Sequence, residues 1–297
     1  MNRGTLLLLL MFAVIGYAFF HNEISAWADL ENEPQVAITE NNHVDLDARA
    51  AILLDSRTGE VLYTKNADTL YPVASMSKMM TEYLLLEAIK EQRADWTDRI
   101  PISKNAATTE GSRVNLVEGE TYPLKDLYEA MAVGSANNAA VAIGEYLAGS
   151  TSAFAEQMNL KAVELNLKSS QFVNATGLAY DYGHNEMTAR DVGMLAYRLI
   201  NDFPDIIRVT SEPIVKLSST KERVSNTNLM LHANDEAMQV AGLDGLKTGF
   251  TDEAGYCFTG TAQRGNKRLI SVVMGTKDEA ARFTETKKLL EMGFKND

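Results

Sequence analysis

The spacing of apolar positions changes several times along the chain, and each change predicts an element. Thr5 to Phe20 is an almost unbroken apolar stretch, whereas residues 29–47 are acidic and polar and read as a flexible lead. Ala50 to Leu54 and Glu60 to Tyr63 flank Asp55-Ser-Arg-Thr-Gly59, a run of turn residues, and predict a β-hairpin. From Ser75 the spacing becomes helical, through Met79, Met80, Tyr83, Leu84, Leu86 and Ile89. Leu124 to Val133 and Asn138 to Leu147 predict two amphipathic helices broken at Gly134-Ser135, and Phe154 to Asn166 and Thr188 to Ile200 predict two more. Val209 to Asn228 is polar and irregular, a mixture of strand and loop. Gly245 to Phe250, Tyr256 to Ala262 and Leu269 to Gly275 then predict three strands, the last two joined by a turn at Gly265-Asn-Lys267. Glu279 to Met292 closes the pattern as a helix.

Two strands early, helices in the middle and three strands late predict an α+β fold. In it a five-stranded antiparallel sheet joins the first and last thirds of the chain and is packed by helices. The central helices form a helical subdomain, which leaves a cleft beside the sheet edge. No repeat or linker divides residues 48–297, which read as one domain. At 297 residues and 45% hydrophobic content, such a domain has ample core.

Composition narrows the function. A net charge of −12 argues against nucleic acid, which needs clustered Lys and Arg. Cys257 is the only cysteine, so no intramolecular disulfide forms, and its apolar run predicts a buried strand position. His21, His43, His184 and His232 have no metal-ligand spacing, no glycine-rich phosphate motif is present, and no cofactor or metal is expected. Residues 1–28 read as an export signal: Arg3 precedes the apolar stretch, and Ala26-Trp27-Ala28 offers cleavage before Asp29. The alternative is an uncleaved membrane anchor, but sixteen residues span only about 24 Å of a roughly 30 Å hydrocarbon core.

Three short motifs carry candidate chemistry in one order: Ser75-Met-Ser-Lys78, Ser135-Ala-Asn137 and Lys247-Thr-Gly249. Each has a decoy, at Ser218 to Lys221, Ser103 to Asn105 and Arg57-Thr58-Gly59. The decoys sit in polar or turn-like segments; the motifs open a helix, separate two helices and lie in a strand. A helix beginning at Ser75 puts its hydroxyl beside free N–H groups and the positive end of the dipole. Lys78 lies one turn on, within reach of Ser75. Burial and a second cation such as Lys247 would depress its pKa and make it a base. Ser135 can relay a proton, and Asn137 can brace Lys78 and hold a substrate carbonyl. The Lys247 strand can pair with an extended peptide while Lys247 and Thr248 face a carboxylate. Gly249 allows close approach, and the Phe250 N–H is a candidate second oxyanion donor beside that of Ser75.

With these motifs the chain resembles the serine penicillin-recognising enzymes, and among them the low-molecular-mass penicillin-binding proteins that are D-alanyl-D-alanine carboxypeptidases. The likeness extends to Asp55-x-x-Thr-Gly-x-Val-Leu, Pro72-Val-Ala-Ser-Met-Ser-Lys-Met-Met-Thr81, Phe172-Val-Asn-Ala-Thr-Gly-Leu178, Thr188-Ala-Arg-Asp191, Val240 to Gly249 and Ala254-Gly-Tyr-Cys257. It implies a β-lactamase/transpeptidase-like fold and attack by Ser75 on the bond between the last two D-alanines of a peptidoglycan stem. It also implies hydrolysis of the acyl-enzyme by water, and acylation of Ser75 by β-lactams. By family position Arg282 helps bind the terminal carboxylate; the alternative for Arg282 is an exposed helix residue. Many relatives continue into a β-rich domain and a C-terminal amphipathic helix. This chain stops at Asp297, so a membrane contact would run through the N-terminal segment.

A class A β-lactamase needs a Glu followed four residues on by Asn; Glu156, Glu164 and Glu186 are followed by Leu160, Lys168 and Arg190 instead. A DD-endopeptidase or transpeptidase would use the same residues. A non-catalytic β-lactam or wall-peptide sensor is expected behind transmembrane helices and a signalling domain, and a purely structural wall-binding protein would have no need of Lys78.

Overall fold

The computed structural model describes residues 44–181, 183–232 and 236–295. Strands are β1 (Ala50–Asp55), β2 (Val61–Lys65), β3 (Leu70–Pro72), β4 (Arg99–Pro101), β5 (Thr121–Pro123), β6 (Glu186–Thr188), β7 (Ile214–Lys216), β8 (Arg223–Ser225), β9 (Leu243–Thr251), β10 (Gly255–Arg264) and β11 (Lys267–Thr276). Helices are α1 (Lys78–Lys90), α2 (Lys104–Thr108), α3 (Leu124–Gly134), α4 (Asn137–Ala148), α5 (Thr151–Glu164), α6 (Ala189–Asp202), α7 (Ile206–Thr210) and α8 (Glu279–Lys295). A tight 3₁₀ turn, Ala74–Ser77, leads into α1.

The main sheet runs β2-β1-β11-β10-β9, antiparallel throughout, with Leu53 opposite Ser271 and Thr259 opposite Lys247. The first and last thirds of the chain therefore meet in one sheet, as expected. Alternation along β1 shows why its five apolar residues are continuous. Ala50, Ile52 and Leu54 face the helical side, whereas Ala51 and Leu53 face Leu289 and Leu290 of α8. Both faces are covered, so neither set of positions is polar. α3 and α4 form the helical subdomain with α2 and α5, separated at Ser135 and Ala136. β9 is the outer strand of the sheet and lies against the 3₁₀ turn.

The lead expected over residues 29–47 falls within the described residues only at 44–47, and there the chain is packed. Leu46 is buried, Tyr63 Oη donates to the Val44 carbonyl at 3.0 Å, Lys65 Nζ donates to that of Leu46, and the Asp47 N–H reaches Glu285. The export signal over residues 1–28 lies outside the described residues. Among the described residues no helix is long and apolar enough to cross a membrane.

Candidate active site

Ser75 does not cap α1. It sits in the 3₁₀ turn that precedes the helix, with Ala74 at φ 46° and the Ser77 hydroxyl donating to the Ala74 carbonyl at 2.9 Å. Lys78, the first residue of α1, is fully buried. Its Nζ lies 2.8 Å from Ser75 Oγ, 2.7 Å from Asn137 Oδ1 and 2.6 Å from the Thr176 carbonyl. The orientation of the Asn137 amide is fixed, because its Nδ2 donates to the Glu110 carbonyl at 2.8 Å. Two of the three partners of Lys78 are thus oxygens that can only accept. An uncharged amine spends its two N–H groups on them and turns its lone pair to Ser75.

The Thr176 carbonyl is held by a loop with its own scaffold. Asn174 Oδ1 accepts from the Thr176 N–H, the Thr176 hydroxyl and the Gly177 N–H at 2.7–2.9 Å. Asn185 Nδ2 ties this loop to the 3₁₀ turn, donating to Ser77 Oγ and to the Asn174 carbonyl. Gly177 has φ +81°, and a Cβ there would stand 1.9 Å from the Ala74 carbonyl oxygen. The loop can press on the serine turn only because this residue has no side chain.

On the other side, β9 carries Lys247 and Thr248, both buried. The Thr248 hydroxyl donates to Thr227 Oγ1 at 2.7 Å. A Cβ on Gly249 would lie 2.8 Å from the Val73 carbonyl, so glycine lets β9 pass against the turn bearing Ser75. Phe250 is 47% exposed and stacks on Tyr256 with ring centroids 4.2 Å apart. Ser135 is buried at the αL residue that ends α3, two residues before Asn137, and is not among the hydrogen-bond partners of Lys78.

Arg282 is not an exposed helix residue: it is 4% exposed. From α8 its guanidinium donates to Glu279 at 2.7 Å and to the Gly249 carbonyl at 3.4 Å, and lies 5.5 Å from the Tyr256 ring centroid. It therefore adds positive charge behind β9.

Burial is the main cause that pulls the Lys78 pKa well below the usual lysine range. The Lys247 charge adds to this, and Glu82 opposes both. Lys247 is lowered to about 8, first by burial, with Glu82 opposing and Arg282 adding. Lys78 thus gives up its proton far more readily than a free lysine, while Lys247, lowered to about 8, is largely protonated near neutrality.

The decoys are accounted for as structure. Ser218 and Ser219 donate hydroxyl and backbone N–H groups to Asp126, while Lys221 donates to the Ser218 carbonyl. Ser103 caps α2, and Asp55 Oδ1 gathers the N–H groups of Arg57 and Thr58 in the hairpin turn. Two participants have no role assigned from the sequence: the Thr176 carbonyl and Glu82. The first had a signal in Asn174-Ala-Thr-Gly177, the composition of a side-chain-stabilised turn. The second had one in an acidic residue inside the apolar helix, four positions after Lys78.

A family model described as D-alanyl-D-alanine carboxypeptidase matches residues 35–278. The D-alanyl-D-alanine carboxypeptidase DacF of Bacillus subtilis is 35% identical over 253 residues, covering 84% of this chain and 62% of that protein. DacC of Escherichia coli is 36% identical over 256 residues, with 84% and 62% covered. The chain therefore spans about three fifths of the length of these curated relatives. Among solved structures, penicillin-binding protein D2 of Listeria monocytogenes in its ampicillin-bound form matches with a TM-score of 0.74 and 39% identity, covering 85% of this chain and 99% of that one.

Proposed function

Because the chain belongs to the D-alanyl-D-alanine carboxypeptidase family, we propose that it is a serine hydrolase that removes the terminal D-alanine from peptidoglycan stem pentapeptides through an acyl-enzyme. β-Lactams acylate the same serine. The observation that carries this reading is the position of Lys78 Nζ, 2.8 Å from Ser75 Oγ and otherwise committed to two acceptors.

Lys78 takes the Ser75 proton as Oγ attacks the carbonyl of the penultimate D-alanine. The N–H groups of Ser75 and Phe250 hold the developing oxyanion. Ser135 passes a proton to the leaving D-alanine amine, and Asn137 keeps Lys78 in place. The substrate lies along the free edge of β9, its terminal carboxylate facing Lys247 and Thr248, with Arg282 reinforcing their field from behind Gly249. Water then attacks the ester, with Lys78 again as base. Stem peptides lie outside the cytoplasm, so the protein acts there after export through residues 1–28.

The test is D-alanine release from a peptide ending in Lys-D-Ala-D-Ala. The native protein releases it, and the Ser75→Ala variant releases none. A folded native protein that is acylated by penicillin yet releases no D-alanine would move the assignment to an endopeptidase or transpeptidase. The pH profile of kcat/KM is expected to be bell-shaped. Its acid side is set by Lys78, which must lose a proton, and its alkaline side falls near pH 8, where Lys247 loses the charge that holds the carboxylate. A profile still rising above pH 9 would remove Lys247 from that role.

A further inference from the structure

Glu82 lies on α1 four residues after Lys78, on the same helix face, and is 1% exposed. Neither of its carboxyl oxygens has a hydrogen-bond partner among the described residues. Tyr128, on the facing helix α3, is likewise buried with an unpartnered hydroxyl. A buried carboxylate without partners is among the costliest groups a fold can hold, and neutralisation by a proton relieves most of that cost. The charges that reach Glu82 are those of Lys78 on its own helix and Lys247 on β9, both favouring its ionised form, while burial opposes them more strongly. Tyr128 faces it from α3 and is uncharged, its own titration pushed far up chiefly by burial. The charged groups that α5 and α6 bring to α1 meet other positions: Lys161 is paired with Glu87, and Asp202 accepts from Tyr83. At α4 the contact to Lys78 is the uncharged Asn137.

We propose that Glu82 is a positioning residue for the proton of the catalytic lysine, and that its carboxyl, by ionising or staying neutral, decides how firmly Lys78 holds that proton. The proposal rests on Lys78 being the general base. Two arrangements compete for a single proton shared by the pair. It resides either on Lys78, giving an ammonium and a carboxylate, or on Glu82, giving an amine and a carboxylic acid. Only the second arrangement leaves Lys78 free to accept from Ser75. No hydrogen bond joins the pair, so the coupling is through the field across one helical turn. Burial of an unpartnered carboxyl favours the base-competent arrangement. The carboxyl thus supplies a place for the proton without pairing with the amine, which a direct ion pair would lock as ammonium.

The experiment compares native protein, Glu82→Gln and Glu82→Asp. The amide has the shape of the acid but cannot ionise. The expected result is that Glu82→Gln moves the acid side of the penicillin acylation profile to lower pH by about one unit, roughly tenfold faster at a pH on its foot, and reduces it to a single titration. Glu82→Asp retains a second titration. A structural role would lower the rate at every pH without moving the profile. An independent reading comes from ¹³C NMR of ε-labelled lysine, with the Lys78 signal identified by its loss in Lys78→Arg. That signal is expected to titrate lower in Glu82→Gln than in native protein. An unmoved acylation profile and an unmoved Lys78 titration in folded Glu82→Gln would overturn the proposal. If the native protein is not acylated at all, the functional assignment fails, while the NMR titration still decides the coupling of Glu82 to Lys78.

Discussion

Lys78→Ala is expected to lower the rate of penicillin acylation by on the order of 10²–10⁴-fold, the range over which a positioned general base contributes. Folding should survive. The substitution leaves the Asn137 Oδ1 and Thr176 carbonyl acceptors without their donor, at about 1–3 kcal/mol for each buried group that water cannot reach. It also removes a fully buried amine whose pKa is held well below that of a free lysine. The sign of that second effect follows from linkage. A lysine lowered in the folded state is protonated more readily in the unfolded chain, so at every pH below the free lysine value it weighs against folding. The two effects oppose, and the net change in Tm should be small. Lys78→Met, which also keeps the volume, should lose acylation to the same extent. Full acylation by either variant would remove Lys78 as the base.

The second large effect lies outside the three motifs. Gly177→Ala is expected to cost about 3 kcal/mol and to lower acylation together with stability. The backbone there has φ +81°, and the new Cβ would stand 1.9 Å from the Ala74 carbonyl, an atom of the turn that bears Ser75. Neither backbone can yield without moving Thr176 away from Lys78 or Ser75 away from both. Gly119→Ala separates strain from collision, because Gly119 also has φ +81° but nothing within 4 Å of the added atom. Its expected cost is the conformational one alone, roughly 1 kcal/mol. In Tm the contrast should be about 6–12 °C against about 2–4 °C. Equal losses in the two variants would mean that the close approach of the loop and the serine turn does not matter.

How much of this could be read from residues alone depends on which group acts. The sheet was legible because both of its faces are covered, so β1 and β10 appear as apolar runs between turn residues, and the Gly265-Asn-Lys267 turn fixed one pairing. The break at Gly134-Ser135 was legible because two amphipathic segments cannot continue through it, and Ser135 does adopt the αL conformation that ends α3. The proximity of Lys78 to Ser75 followed from one turn of helix. Asn174-Ala-Thr-Gly177 signalled a turn, but not that the Thr176 carbonyl would meet Lys78, since every residue carries such an oxygen and only tertiary packing selects one. Arg282 looked equally suited to solvent and to the interior. Its burial depends on β9 and Tyr256, which are distant in sequence. Residues 44–47 read as polar lead because their contacts are mostly backbone carbonyls that accept from Tyr63 and Lys65, a role for which composition leaves no trace.

The most direct test of the account is to trap the acyl-enzyme and locate it. Native protein incubated with ampicillin and then digested should carry the drug mass as an ester on the peptide containing Ser75, with none in the Ser75→Ala variant. A folded native protein that stays unmodified, or that carries the drug on any other residue, would contradict it.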